Sequence, residues 1–271
     1  MKKINIGKEN ATFQEILSLK ENRTKRTKTG LFFVEGVQNI KDALANNWKI
    51  HAFIYSKDCK LSKWATEILD FAEFNYVLEN NLMLKLSDKS DVSEILAIVE
   101  IKYFNQICKT DENPVFVLLD RPSKKGNLGT IIRSCDALNV TQIFYSGHSV
   151  DLYDHAVVTA SMGSFFKLPI TFIKSNNDYL ALAKQLKKQY DNLQIVATSL
   201  QTENKLQNAN FNLPTLLLIG NETDGLCKFY NETADYAVKI DMRPDIDSLN
   251  IACATSICLY EIQRQRNNYK I

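Results

Sequence analysis

Six short apolar runs between residues 115 and 240 constrain the fold more than any other feature of this chain. They are VFVLLD (115–120), QIFYS (142–146), LPITFI (168–173), QIVATS (194–199), TLLLIG (215–220) and YAVKI (236–240). Each is apolar and β-branched at successive positions rather than at alternate ones, and helical segments separate several of them. Strands patterned in this way bury both faces, so the chain is expected to form an α/β structure built on a mostly parallel sheet covered by helices. In such sheets the loops at the carboxyl ends of the strands are where ligands bind.

The preceding residues alternate helical and extended signals, as a small α/β module would. Helices are expected at 11–20, 36–46 and 63–72, strands at 50–56 and 74–78, and an apolar stretch at 95–101. All five prolines and six of the nine glycines follow residue 110, and CKTDENP (108–114) reads as a polar connection. Two domains are therefore expected, 1–108 and 112–271, which a chain of 271 residues accommodates. No internal repeat is visible.

Composition narrows the class. With 45% hydrophobic and 24% charged residues the chain is neither disordered nor fibrous. No apolar run approaches the roughly 20 residues of a membrane span, and MKKINIGKENATFQ lacks the apolar core of a secretory signal. A cytoplasmic protein is expected. Six cysteines without a CxxC pair, and only three histidines, give no zinc-like spacing; no metal is expected, and the thiols read as reduced and mostly buried. The net charge of +2 does not by itself mark a nucleic-acid binder. Its distribution is more informative, because KENRTKRTK (20–28) sets five bases against Glu21. Arg23, Lys25, Arg26 and Lys28 are candidate contacts to a phosphate backbone; a solvated helix end accounts for the same run.

Three loops carry the candidate chemistry. After VFVLLD, RPSKKGNLG runs into TIIRSCDAL, where Ile131, Ile132, Cys135 and Leu138 form a helical stripe, Asn127 is placed to cap the helix, and Arg133 lies a turn and a half beyond it. Taken alone, this is also an ordinary capped helix with an exposed arginine, and it lacks both the P-loop ending and the three-glycine dinucleotide fingerprint. After TLLLI, Gly220 permits tight passage, Glu222 hangs past the strand end and Gly225 is expected to open the next helix. Glu222 reads equally as an arginine or hydroxyl partner and as a helix-start acid. In the third loop Ser248 is expected to cap a terminal helix whose buried stripe is Ile251, Thr255, Cys258 and Ile262, with small residues between and Asn250 beside that core.

Together these loops resemble the SpoU (TrmH-type) RNA ribose 2′-O-methyltransferases of the SPOUT superfamily. N-x-G-x-x-x-R matches Asn127, Gly129 and Arg133; G-x-E-x-x-G-[LI] matches Gly220, Glu222, Gly225 and Leu226; S-L-N matches Ser248, Leu249 and Asn250. Order and spacing agree over residues 112–267, and the stretch 151–170 is similar to the family's A-S-x-G-x-x-F-x-L-P linker. The N-terminal part, with TGLFFVEG at 29–36, resembles a ribosomal-protein-like RNA-binding domain. Departures are Asp241 in place of a common proline, Arg243 and Pro244 in place of a small residue and glycine, and Thr159 in place of a common arginine.

The resemblance implies a deep trefoil knot in the C-terminal domain, a rare exception to unthreaded topology, and a homodimer whose active site is shared between protomers. It implies S-adenosylmethionine as cofactor, held around Thr198, Ser199, Gly220, Asn221, Ile240, Met242, Ser248 and Leu249. The catalytic set it implies is Asn127, Arg133, Glu222, Ser248 and Asn250, acting on a ribose hydroxyl of RNA, with ribosomal RNA favoured over transfer RNA. Two other readings are weighed beside it: a non-catalytic RNA-binding or assembly factor that keeps the fold, and a nucleotide-binding α/β enzyme.

Overall fold

A computed structural model describes residues 2–89, 92–109, 113–243, 245 and 248–266. The chain divides into two compact units, one comprising Met1–Lys102 with Asp151–Lys167 and the other Tyr103–Val150 with Leu168–Ile271.

In chain order the first unit begins with β1 (Lys2–Ile6), α1 (Ala11–Glu21), α2 (Arg23–Thr29), β2 (Leu31–Glu35), α3 (Val37–Ala45) and β3 (Ile50–Ser56). It continues through α4 (Lys63–Glu67), β4 (Phe74–Leu78), α5 (Asn80–Leu86) and β5 (Leu96–Glu100). The strands form a mixed sheet in the order β1-β4-β3-β5-β2, parallel on one side of β3 and antiparallel on the other. The helix expected over 63–72 stops early. The Ile68 N–H bonds to Trp64 and Thr66 carbonyls and the chain tightens into a 3₁₀ turn, whose Leu69 carbonyl accepts the Asn75 amide at 3.1 Å.

In the second unit β6 (Val115–Asp120) and α6 (Lys125–Ala137) lead to β7 (Gln142–Ser146). The chain then passes through α7 (His155–Ala160), which belongs to the first unit, before β8 (Ile170–Ile173). There follow α8 (Asn176–Gln189), β9 (Gln194–Thr198), β10 (Thr215–Ile219), α9 (Lys228–Thr233), β11 (Tyr236–Val238) and α10 (Ile251–Arg266). All six strands are parallel, in the order β11-β9-β10-β6-β7-β8. Every side chain of β6 and β10 is buried, as successive apolar positions require. From β6 the chain progresses outward on one side through β7 and β8, then returns to build the other side from β9. The order therefore reverses between β6 and β10, and their carboxyl ends lie side by side, with Leu119 paired to Ile219.

The chain is cut at different places from those the composition marks. Residues ahead of 108 run along the second sheet: the Phe104 carbonyl accepts the Thr171 hydroxyl at 2.8 Å, and the Cys108 N–H donates to Gln142 at 2.9 Å. Residues 110–112 of the expected connection lie outside the described residues. The stretch similar to the family's linker completes the first unit instead. Phe165 and Phe166 pack against Phe32 and Trp48, and the Trp48 indole donates to the Phe166 carbonyl at 2.9 Å. Gly163, at φ 96°, sits where a Cβ would fall 1.9 Å from the Asp42 carboxylate, so this passage requires glycine.

Arg26 is only 2% exposed and spends its guanidinium on Asp151 at 2.6 Å, Asp154 at 3.5 Å and the carbonyls of Leu19 and Lys20. The basic run is thus neither one solvated face nor a set of four phosphate contacts. Arg23 and Lys28 are exposed, and half-buried Lys25 pairs with Glu15 at 2.7 Å. The thiols also differ from expectation. All six are free, but only Cys135 and Cys258 are buried.

Candidate active site at the carboxyl ends of the second sheet

The loops that leave β6, β9, β10 and β11 converge where the strand order reverses, the position chain topology favours for a ligand. The loops after β9, β10 and β11, with the start of α10, enclose a cavity of about 480 Å³ whose walls combine Ile219, Leu226, Val238 and Ile251 with main chain and small polar side chains. That size and mixture suits a drug-sized ligand with an apolar ring and polar ends. Thr198, Ser199, Gly220, Asn221, Ile240, Met242, Ser248 and Leu249 all line it.

Gly220 sets the shape of one wall. A Cβ there would fall 2.2 Å from the Leu226 nitrogen and 2.3 Å from the Gly225 carbonyl carbon, because the loop folds back on itself. Asn221 and Gly225 exchange backbone hydrogen bonds of 2.9 and 3.1 Å, and the Asn221 side chain accepts the Thr223 N–H at 2.8 Å. Gly225 takes φ 67° in this turn, so it closes the loop rather than opening a helix; α9 starts three residues later. On the opposite wall Thr198 donates to the Leu218 carbonyl at 3.0 Å and the Ser199 N–H bonds to Val238 at 3.0 Å, fixing the exit of β9. Burial pushes the Cys258 thiol, also in the wall, up to about 12, so it remains protonated and inert at neutral pH.

Beside the cavity three motif side chains form a hydrogen-bonded chain. Glu222 accepts the Asn127 amide at 3.0 Å, and Asn127 in turn accepts the Asn250 amide at 3.2 Å. The Ser123 hydroxyl donates to Glu222 at 2.6 Å. Partial burial raises the Glu222 carboxyl, but hydrogen bonds from Ser123, Asn127 and two backbone N–H groups outweigh it and hold the group below the ordinary carboxylate range. It is an anion that orients amides, not an acid poised near neutrality.

Two expected caps are corrected. α6 starts at Lys125, so Asn127 lies within its first turn and turns its amide to Glu222 instead of capping. The terminal helix is capped by Asn250, whose side-chain oxygen accepts the N–H groups of Ala252 at 2.8 Å and Cys253 at 3.4 Å; Ser248 lines the cavity. The buried stripe of α10 contains Ile251, Thr255, Cys258 and Ile262 as expected.

Arg133 stands apart from this cluster. It is exposed on α6 and forms no hydrogen bond or ion pair among the described residues. Asp241, the departure from the family pattern, pairs with Lys205 at 2.5 Å and so links the segment after β11 to the one after β9. Arg243 pairs with Asp245 at 3.0 Å, while Pro244 lies outside the described residues. Sequence reasoning passed over Ser123, whose only signal is a hydroxyl in the loop after β6. Among the described residues no group of three His, Cys, Asp or Glu side chains could hold a metal ion.

Residues 114–260 match the family model described as the SpoU rRNA Methylase family, and residues 10–97 match the SpoU L30e-like domain. The chain belongs to the SpoU rRNA methylase family. It is 36% identical to a 23S rRNA (uridine(2479)-2′-O)-methyltransferase of Streptomyces viridochromogenes, over 96% of this chain and 92% of that one. The crystal structure of the SpoU methyltransferase AviRb from the same organism, in complex with the cofactor AdoMet, superposes with a TM-score of 0.89 at 35% identity, covering 96% of this chain and 99% of that chain. An AdoMet-bound rRNA methyltransferase from Sinorhizobium meliloti gives 0.86 at 27% identity, over 97% and 98% of the two chains.

Proposed function

We propose that this protein transfers a methyl group from S-adenosylmethionine to a ribose 2′-hydroxyl of ribosomal RNA. The observation that carries this reading is the cavity at the carboxyl ends of β9, β10 and β11, flanked by the Asn127–Glu222–Asn250 chain, in a member of the SpoU rRNA methylase family. The cavity's volume and its apolar and main-chain lining fit S-adenosylmethionine, with Thr198, Ser199, Gly220, Asn221, Ile240, Met242, Ser248 and Leu249 as its holders. When bound, its sulfonium supplies an electrophilic methyl group.

The chain's own residues must overcome the weak nucleophilicity of a ribose hydroxyl, by orienting it and stabilising the charge that develops on its oxygen as its proton is lost to solvent water. Arg133 is assigned to that oxygen or its neighbouring phosphate. A guanidinium stays protonated, so it acts as a donor and a positive charge. Glu222 fixes Asn127, Asn127 holds Asn250, and Asn250 anchors the start of α10, so these three keep the reacting wall rigid.

The exposure of Arg133, with no side-chain hydrogen bond or ion pair among the described residues, is understood if the enzyme is a homodimer in which Arg133 serves the partner's cavity. Exposed Ile257 and Tyr260 on α10 support a buried interface there. A deep trefoil knot in the second unit and a cytoplasmic location belong to the same reading, and no described helix is long and apolar enough to cross a membrane. The L30e-like unit, with exposed Arg23 and Lys28, is assigned to RNA capture.

Incubation with methyl-labelled S-adenosylmethionine and separate pools of unmodified ribosomal and transfer RNA tests the reading. Label in ribosomal RNA is expected. Label confined to transfer RNA would change the substrate, and cofactor binding without label in either pool would favour a non-catalytic RNA-binding factor.

A further inference from the structure

Arg121 is the first residue after β6, and the proposed reaction gives it no role. It occupies φ 51°, a left-handed conformation that costs a non-glycine residue energy and persists only where its surroundings enforce it. Those surroundings are specific. Its guanidinium forks onto buried Asp120 with two contacts of 3.1 Å, donates to the Gly225 carbonyl at 3.3 Å and lies 3.7 Å from the Asp224 carboxylate. Its own carbonyl accepts the Asn221 amide at 2.6 Å. The second oxygen of Asp120 also accepts the Cys227 N–H at 2.9 Å. Gly147, at φ 68°, leaves room for the arginine stem, since a Cβ there would fall 2.5 Å from Arg121 Cγ.

These contacts grip both ends and the tip of the loop 220–227. That loop forms one wall of the cavity and carries Glu222. Backbone pairing between Asn221 and Gly225 gives the loop its fold; Arg121 and Asp120 tie that fold to the end of β6, while Ser123 and Asn127 hold it through Glu222. A bidentate arginine is stiff where a lysine would not be.

We propose that Arg121, braced by Asp120, is a positioning residue that holds the 220–227 loop in its cofactor-binding shape. It sets affinity for S-adenosylmethionine without touching substrate. The proposal rests on the methyltransferase reading for its ligand, but the loop's order in the free protein does not depend on that reading.

The test uses the full chain with Arg121→Gly and Arg121→Asn, both of which tolerate the left-handed backbone, and Arg121→Lys as the conservative variant. Titration calorimetry with S-adenosylmethionine should show a Kd raised about 10-fold for the Gly and Asn variants, the equivalent of losing one charge-assisted hydrogen bond, and about 3-fold for Lys. In steady-state assays KM for the cofactor should rise in parallel, while KM for RNA stays within about twofold. Hydrogen exchange at the Asn221 and Gly225 amides of the free protein should accelerate. Cofactor affinity within twofold of the parent in both Gly and Asn variants would overturn the proposal. If the unsubstituted protein binds no S-adenosylmethionine, the methyltransferase reading fails instead, and exchange at those two amides still decides whether Arg121 holds the loop.

Discussion

The two units put their buried charges to different uses. In the first, Arg26 is sunk against Asp151 and Asp154, and Lys20 is buried on Asp88, which also meets His155. These groups stitch α7 and the residues around it onto helices more than a hundred positions earlier. In the second unit buried Asp120 braces Arg121, and Ser123, Asn127 and Glu222 join loops at the carboxyl end of a sheet whose central strands are wholly buried. Arg133 and Ser248 are left facing outward. A buried charge with several partners is a structural fixture; Arg133 and Ser248, both exposed, are the side chains proposed to meet substrate and cofactor.

Arg26→Met breaks the first half of that contrast. It leaves two nearly buried carboxylates without their cation, a loss of about 3–5 kcal/mol, readable as a lowered urea midpoint with no change in cofactor affinity once the protein is folded. A loss below about 1 kcal/mol would return Arg26 to the surface run.

Arg133→Ala addresses the second half. Methyl transfer should fall about 10²- to 10³-fold, the usual worth of one donor to a developing oxyanion, while calorimetric cofactor affinity and the unfolding midpoint stay unchanged. Retained turnover would remove it from the mechanism.

Glu222→Gln sharpens the contrast within the cavity wall, because it keeps the shape but exchanges an acceptor-only carboxylate for an amide facing Asn127 and Ser123. A drop in kcat of about 10- to 100-fold is expected. The sign of its pH dependence follows from the hydrogen bonds that hold the folded carboxyl below its unfolded value. The stabilised anion is fully present above the ordinary carboxylate range and is lost only as pH falls through the depressed folded value. An acidic limb of the rate profile near neutrality therefore cannot belong to Glu222, and such a limb vanishing in Glu222→Gln would contradict this assignment.

The smallest effect is expected from Arg23→Glu with Lys28→Glu, at the two exposed bases of the run. RNA binding should weaken and its dependence on salt flatten by about one to two counterions, with the unfolding midpoint unmoved. Unchanged binding would leave these residues as solvated surface.

Legibility in the sequence followed the range of the interactions. β3, β4, β6 and β7 begin and end where the apolar runs do, because burial of successive positions is a local pattern. β1 was missed because KKINI is mostly exposed and hardly apolar. α2 was missed because its seven residues carry one buried side chain, an arginine. The fate of Arg26 was unreadable, since its partner Asp151 lies 125 positions away. The same holds for the site. Asn127 and Glu222 are 95 residues apart, and Asn127 and Asn250 are 123 apart, so only the ordered motifs of the family brought them together before the fold did. Asn127 shows the cost of local reasoning: its type and place suggested a cap, and tertiary contacts gave it another partner.

The most direct test of the account is the chemistry of the product. Ribosomal RNA labelled by the protein would be digested to completion with alkali, which cleaves a phosphodiester only through the adjacent free 2′-hydroxyl. Label recovered in an alkali-stable dinucleotide is the predicted result, because a methylated ribose cannot support cleavage. Label recovered in mononucleotides would place the methyl group on a base and contradict the assignment of this site to a ribose hydroxyl.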